Sequence, residues 1–170
     1  MTNLRLSHFI FLILLSCLTY FFHECAHWLA YHSYEIDVQL NVNTIRLPQE
    51  IRLTAMQKVI IYGSGVFFTL LQGYIGFLLA LKKDSFIGFY ILLSAAVFRW
   101  AAMIQGIFSS SDELKVSLAM GTPAWFWPIL IGITFLGMVF YSSKKLNIPL
   151  KTLTMTSLSF LLVTYLYSLL

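Results

Sequence analysis

An all-α polytopic membrane protein, with about five transmembrane helices and a small β-hairpin between the first and second, is the fold class this sequence predicts. Three observations lead there. Apolar runs of spanning length recur along the 170 residues. Hydrophobic residues make up 59% of the chain and charged residues only 11%, a balance outside the range of soluble domains. The charges that exist collect mostly between the runs, so residues 1–170 read as a single membrane-embedded domain. A formal net charge of +4 then belongs to loops at lipid head groups, which makes the bilayer the expected partner and gives no argument for nucleic acid.

The first run covers residues 6–31 and follows Arg5. Leu14-Leu15-Ser16-Cys17 loosely resembles a lipoprotein cleavage box, but the apolar stretch continues well past Cys17, as a retained helix requires. Cys17 and Cys25 lie eight residues apart on this one helix and cannot bridge to each other. Within the run, residues 23–27 read His-Glu-Cys-Ala-His, three ionisable side chains in a place where they are expensive to keep. On a helix His23 and His27 are about 40° apart in rotation and roughly 6 Å in rise, so both rings can reach one metal ion. Glu24 falls roughly 60° from His27 on the same side, near enough to meet a water on that ion without being a ligand. Two neutral nitrogens that hold an ion and a carboxylate that takes a proton from water form the division of labour of a zinc hydrolase. The bland alternative is that the buried His and Glu pair as structural glue between helices.

Residues 32–57 form the one sizeable polar stretch and carry three of the seven carboxylates, Glu35, Asp37 and Glu50. Ile36, Val38, Leu40 and Val42 alternate with Asp37, Gln39 and Asn41, the period of a half-buried strand. Asn43-Thr44 can turn the chain into a second short strand through Ile45 and Leu47, ended by Pro48. This hairpin would offer an edge to which an extended peptide can add as another strand.

Two further core helices follow at 58–81 and 85–108, joined only by Lys82-Lys83-Asp84 and therefore antiparallel neighbours. Gly63, Gly65, Gly73 and Gly76 give the first of them small faces for close packing, and Thr69 and Gln72 are read as inter-helix hydrogen bonders. The other carries Arg99 near its middle, either a structural counter-ion or part of a polar site, and Gln105 near its end. Ser109-Ser110-Ser111-Asp112-Glu113 then breaks the apolar pattern. Parity of crossing brings that break to the level of His27, so Asp112 is the best-placed third ligand for a catalytic zinc, with Glu113 and then Glu50 as competitors. His8 lies too far back along the first helix, and His32 is off by one from the register of an extended three-His motif. Two extra helices, 124–141 and 148–170, complete the set and are read as packing or lipid-facing elements.

Together, His23-Glu24-x-x-His27 in a transmembrane helix, a strand-like segment after it, Gly63-Ser64-Gly65 in a Gly-rich helix and an Asp after the next helix resemble the site-2 protease family of intramembrane zinc metalloproteases. The resemblance covers residues 6 to about 121. It implies one zinc per chain held by His23, His27 and Asp112, with Glu24 as general base. The second motif departs from the family pattern. Gln105 stands roughly where an Asn is usual, no Pro precedes Asp112, and Ser111-Asp112-Glu113 replaces Leu-Asp-Gly. Gln105 and Arg99 are the candidates for binding substrate. The family's PDZ or CBS domains are not seen, which suggests a minimal, divergent member.

The reaction the resemblance implies is hydrolysis of a peptide bond within or beside a transmembrane segment of a membrane-protein substrate. The alternative is a membrane protein that binds or transports a metal without cutting anything. The expected location is a bacterial cell membrane, crossed several times. Arg5, Lys82, Lys83, Lys144, Lys145 and Lys151 on one side outnumber Arg46, Arg52, Lys58 and Lys115 on the other, which favours a cytoplasmic N-terminus. The resemblance instead puts residues 31–57 in the cytosol, and we follow the resemblance.

Overall fold

A computed structural model describes residues 6–40, 45–46, 51–82, 84–108 and 110–168. Its helices are α1 (Leu6–His32), α2 (Ala55–Lys82), α3 (Phe86–Gln105), α4 (Asp112–Ala119), α5 (Phe126–Lys145) and α6 (Leu150–Ser168). Among the described residues four of them, α1, α2, α3 and α5, are long and apolar enough to cross a membrane. Five such spans are expected from the sequence, and the difference lies in α6. Its apolar part, Leu150–Leu166, is shorter and is interrupted by Thr152, Thr154, Thr156, Ser157 and Ser159.

The expected β-hairpin is also corrected. Among the described residues, strand pairing is limited to β1 (Gln39–Leu40) and β2 (Ile45–Arg46), with Gln39 opposite Arg46 and Leu40 opposite Ile45. Two residues a side do not make a hairpin that stands as an element, and with it goes the edge expected to receive a peptide. The proposed turn at Asn43-Thr44, its end at Pro48 and the candidate Glu50 lie outside the described residues. The alternation of Ile36 and Val38 has another cause: Val38 is buried with Ala30, Tyr31 and Ile61, and Ile36 packs against that cluster. Those side chains face the end of α1 and the start of α2, so the period of two reports packing onto helices.

Local chemistry explains where the helices stop and start. After α1, the Ile36 amide donates to the Tyr31 carbonyl and the Glu35 amide to that of His32, with Glu35 left-handed at φ 59°. The same closing pattern follows α4, through Gly121 at φ 70°, and α5, through Asn147 at φ 52°. α2 begins three residues earlier than the apolar pattern indicates. Thr54 and Gln57 bond each other's backbone amides there, at 2.9 and 3.3 Å, and form a capping box.

α3 is the central helix. Slightly more than half of its span (56%) is buried, against about a third for α2 and α5 and 28% for α1. Phe89, Leu92, Leu93, Ala95 and Ala96 fill the core with Phe135 of α5 and Phe160 of α6. α2 and α3 approach so closely that a Cβ on Gly76 would lie 2.5 Å from the Leu92 amide nitrogen, and one on Gly88 2.7 Å from that of Ala80. Gln72 of α2 donates to Thr19 of α1 at 2.8 Å and Ser94 of α3 at 3.1 Å, which joins the three helices as expected. Thr69 instead bonds back to carbonyls of its own helix. α1 packs on α2 and α3, α4 sits against α2, and α6 closes the far side against α1 and α3.

Candidate metal centre

The helical period puts His23 and His27 on one face of α1, and that face is turned inward, with both residues nearly fully buried. Room for their rings comes from α2. A Cβ on Gly65 would lie 2.4 Å from His23 Cε1 and 2.4 Å from His27 Nε2, so only glycine leaves space for the pair. Opposite them stands Asp112, the first residue of α4. Ser111 caps that helix, its hydroxyl accepting from the Leu114 amide at 3.3 Å, and this sets the direction in which Asp112 leaves the backbone.

His23 Nε2, His27 Nε2 and Asp112 Oδ2 form a triangle whose three sides are all 3.1 Å. Hydrogen bonds cannot account for all three sides at once, because a neutral imidazole carries one N–H and it can point along only one of them. The three atoms form a group able to hold a metal ion. A tetrahedral ion with bonds of about 2.0–2.1 Å needs its ligand atoms about 3.3–3.4 Å apart, so the group is near the required size without rearrangement.

The surrounding contacts orient the ligands. His27 Nδ1–H donates to the Ile61 carbonyl at 2.6 Å, which leaves its Nε2 lone pair facing the triangle. Ser64 donates to the same carbonyl at 2.7 Å and lies 3.3 Å from His27 Nδ1. Burial alone would push the Asp112 carboxyl up, but His27 and His23 beside it hold it well below the usual carboxylate range. Lys115, one turn on, is 3.9 Å from its other oxygen.

Of the candidate ligands, the structure brings together His23, His27 and Asp112. Glu113 turns away: its Oε1 accepts from Arg99 Nη1 at 2.7 Å, and both side chains are 2% exposed. His32 is outside the centre, where it donates to the Trp28 carbonyl at 3.1 Å and rests on the Trp28 ring. Both cysteines are free thiols.

A cavity of about 750 Å³ opens onto the centre. His23, Glu24 and Asp112 line it together with Arg99 and Gln105. Its walls are mostly apolar, from Phe98, Ala101 and Ala102 of α3 and Leu158, Leu161 and Leu162 of α6. Sequence reasoning missed the contribution of α6, whose apolar and hydroxyl residues are spread around the helix and give no sign of which face meets a cavity. Comparison with known protein families, characterised proteins and solved structures found no match.

Proposed function

We propose that this chain is an intramembrane zinc metalloendopeptidase of the site-2 protease type, which hydrolyses a peptide bond within or next to a transmembrane segment of a membrane-protein substrate. The observation that carries the reading is the triangle of His23, His27 and Asp112 at 3.1 Å, set in a largely apolar cavity that Glu24 also lines. Walls of this kind suit an apolar segment. The residence in a bacterial membrane belongs to the same proposal.

His23, His27 and Asp112 would hold the zinc. When bound, zinc supplies Lewis acidity toward a water and toward the scissile carbonyl. Glu24 is not part of the ligand triangle, and its carboxylate is free to accept a proton from water and deliver it to the leaving amine. The walls from α3 and α6 would accept the substrate's apolar side chains. A helical substrate hides its carbonyls in its own hydrogen bonds, so a short stretch must unwind before reaction. Gln105, exposed on the cavity rim at the end of α3, offers an amide to the unwound backbone.

Glu24→Gln tests the assignment. The variant should keep about one zinc per chain and lose turnover of a transmembrane reporter substrate by at least about 100-fold, the usual worth of a general base. Loss of zinc along with activity would make Glu24 a ligand or relay and would favour a metal-handling protein that cuts nothing.

A further inference from the structure

Two full charges sit in the interior beside the candidate centre. Arg99, in the second half of the membrane-spanning α3, is 2% exposed, as is Glu113, the second residue of α4. Their contact is one-pronged: Nη1 donates to Oε1 at 2.7 Å, while Arg99 Nε and Glu113 Oε2 have no hydrogen-bond partner among the described residues. A pair kept only for strength would use both prongs of the guanidinium on both carboxylate oxygens. Here the second terminal nitrogen, Nη2, goes elsewhere and lies 3.5 Å from Nδ1 of His23. The guanidinium also lies over the ring of Phe98, at 4.5 Å, and that ring packs edge-on against His23 at 5.0 Å.

The geometry points to Arg99 and Glu113 as positioning residues for the metal centre: their ion pair registers α4, and so Asp112, against α3 beside the histidines. The inference rests on the reading of the centre as a metal site. Glu113 directly follows Asp112, so the pull of Arg99 on Glu113 fixes the first turn of α4 in depth and rotation. The same cation lies on Phe98, whose ring packs edge-on against His23, while Nη2 makes no bond to a His23 that ligates through Nε2 and carries its proton on Nδ1. Glu113 also cancels the guanidinium charge that would otherwise oppose a dication nearby.

The variant that separates positioning from mere stability removes both charges. In Arg99→Met/Glu113→Leu no unpaired charge is left behind, and such replacements of buried ion pairs are commonly neutral or stabilising. Full-length wild type and variant, purified in detergent and stripped of metal, are titrated with Co²⁺ while visible absorption is read. Wild type should bind one Co²⁺ with a tetrahedral-type spectrum. The double variant should melt at or above the wild-type temperature without metal, bind Co²⁺ 10–100-fold more weakly and show a shifted, weaker absorption band. If the variant binds within twofold of wild type with the same spectrum, the positioning role is overturned and the metal-site reading stands. Failure of wild type itself to bind Co²⁺ would overturn both. Should the double variant not fold, Arg99→Lys carries the test, because it keeps a charge for Glu113 but has no fork. About tenfold weaker binding supports the inference, and unchanged binding overturns it.

Discussion

Gly65 makes the dependence of the centre on single atoms measurable. Its Cα leaves space that the two histidine rings fill, and one added methyl would meet both at 2.4 Å. Gly65→Ala should therefore fold, since α2 is helical throughout, but should push His23 and His27 out of the triangle. Metal affinity is expected to fall by about tenfold or more, as for other disturbed ligand supports, which titration with Zn²⁺ would read directly. That His23 and His27 share a face, with Glu24 beside them at the cavity, was legible because a helix converts sequence spacing into angular position without further information. The role of Gly65 was not, because it depends on the register of α2 against α1, which spacing along either helix does not contain. The choice between Asp112 and Glu113 was open for a related reason. Adjacent residues point about 100° apart on a helix, and the sequence does not say that Glu113 meets Arg99 while Asp112 faces the histidines.

Among elements, α4 carries most per residue. It has eight residues, too few and too polar to be found by apolar periodicity, yet it brings Asp112 to histidines 85 and 89 positions earlier in the chain. A signal was present: Ser111 before Asp112-Glu113 is a cap with acids in the first turn, just as Thr54 and Gln57 announce α2. The alternation at residues 36–42 misled for the opposite reason, since a period of two also arises where an extended segment lies on helices. So short a helix cannot hold itself together by propensity, and its cap has an outsized share in its order. Ser111→Ala is expected to lower stability by about 1 kcal/mol. Because the fraying end bears Asp112, it should also weaken metal binding while Glu24 and both histidines stay intact. Thermal unfolding and zinc titration on the same preparation would separate the two effects. A variant that loses stability but binds zinc as wild type would show that Asp112 is kept in place by the Arg99–Glu113 pair and packing on α2, with the cap contributing to stability alone.

At the scale of the molecule, the ligands divide between α1 and α4, so an ion there would close a loop of more than 80 residues that includes both α2 and α3. Metal binding and folding must then be linked. An ion that binds only the folded chain stabilises it by about 2.7 kcal/mol when present at about 100 times its dissociation constant. We expect the detergent-purified protein to unfold at a lower temperature after chelation and to recover on addition of zinc, with the increment growing as the logarithm of free zinc. Asp112→Ala should melt at nearly the same temperature with and without zinc, because a site reduced from three ligands to two binds the ion too weakly to add much. The linkage also has a sign in pH. Both imidazoles must be neutral to bind, so acidification that protonates them converts ligands into cations and the zinc-dependent increment should shrink as pH falls. Measured at several pH values, an increment that stayed constant, or that grew toward acid, would mean that the stabilising ion is not held by His23 and His27, and the centre would have to be sought elsewhere in the chain.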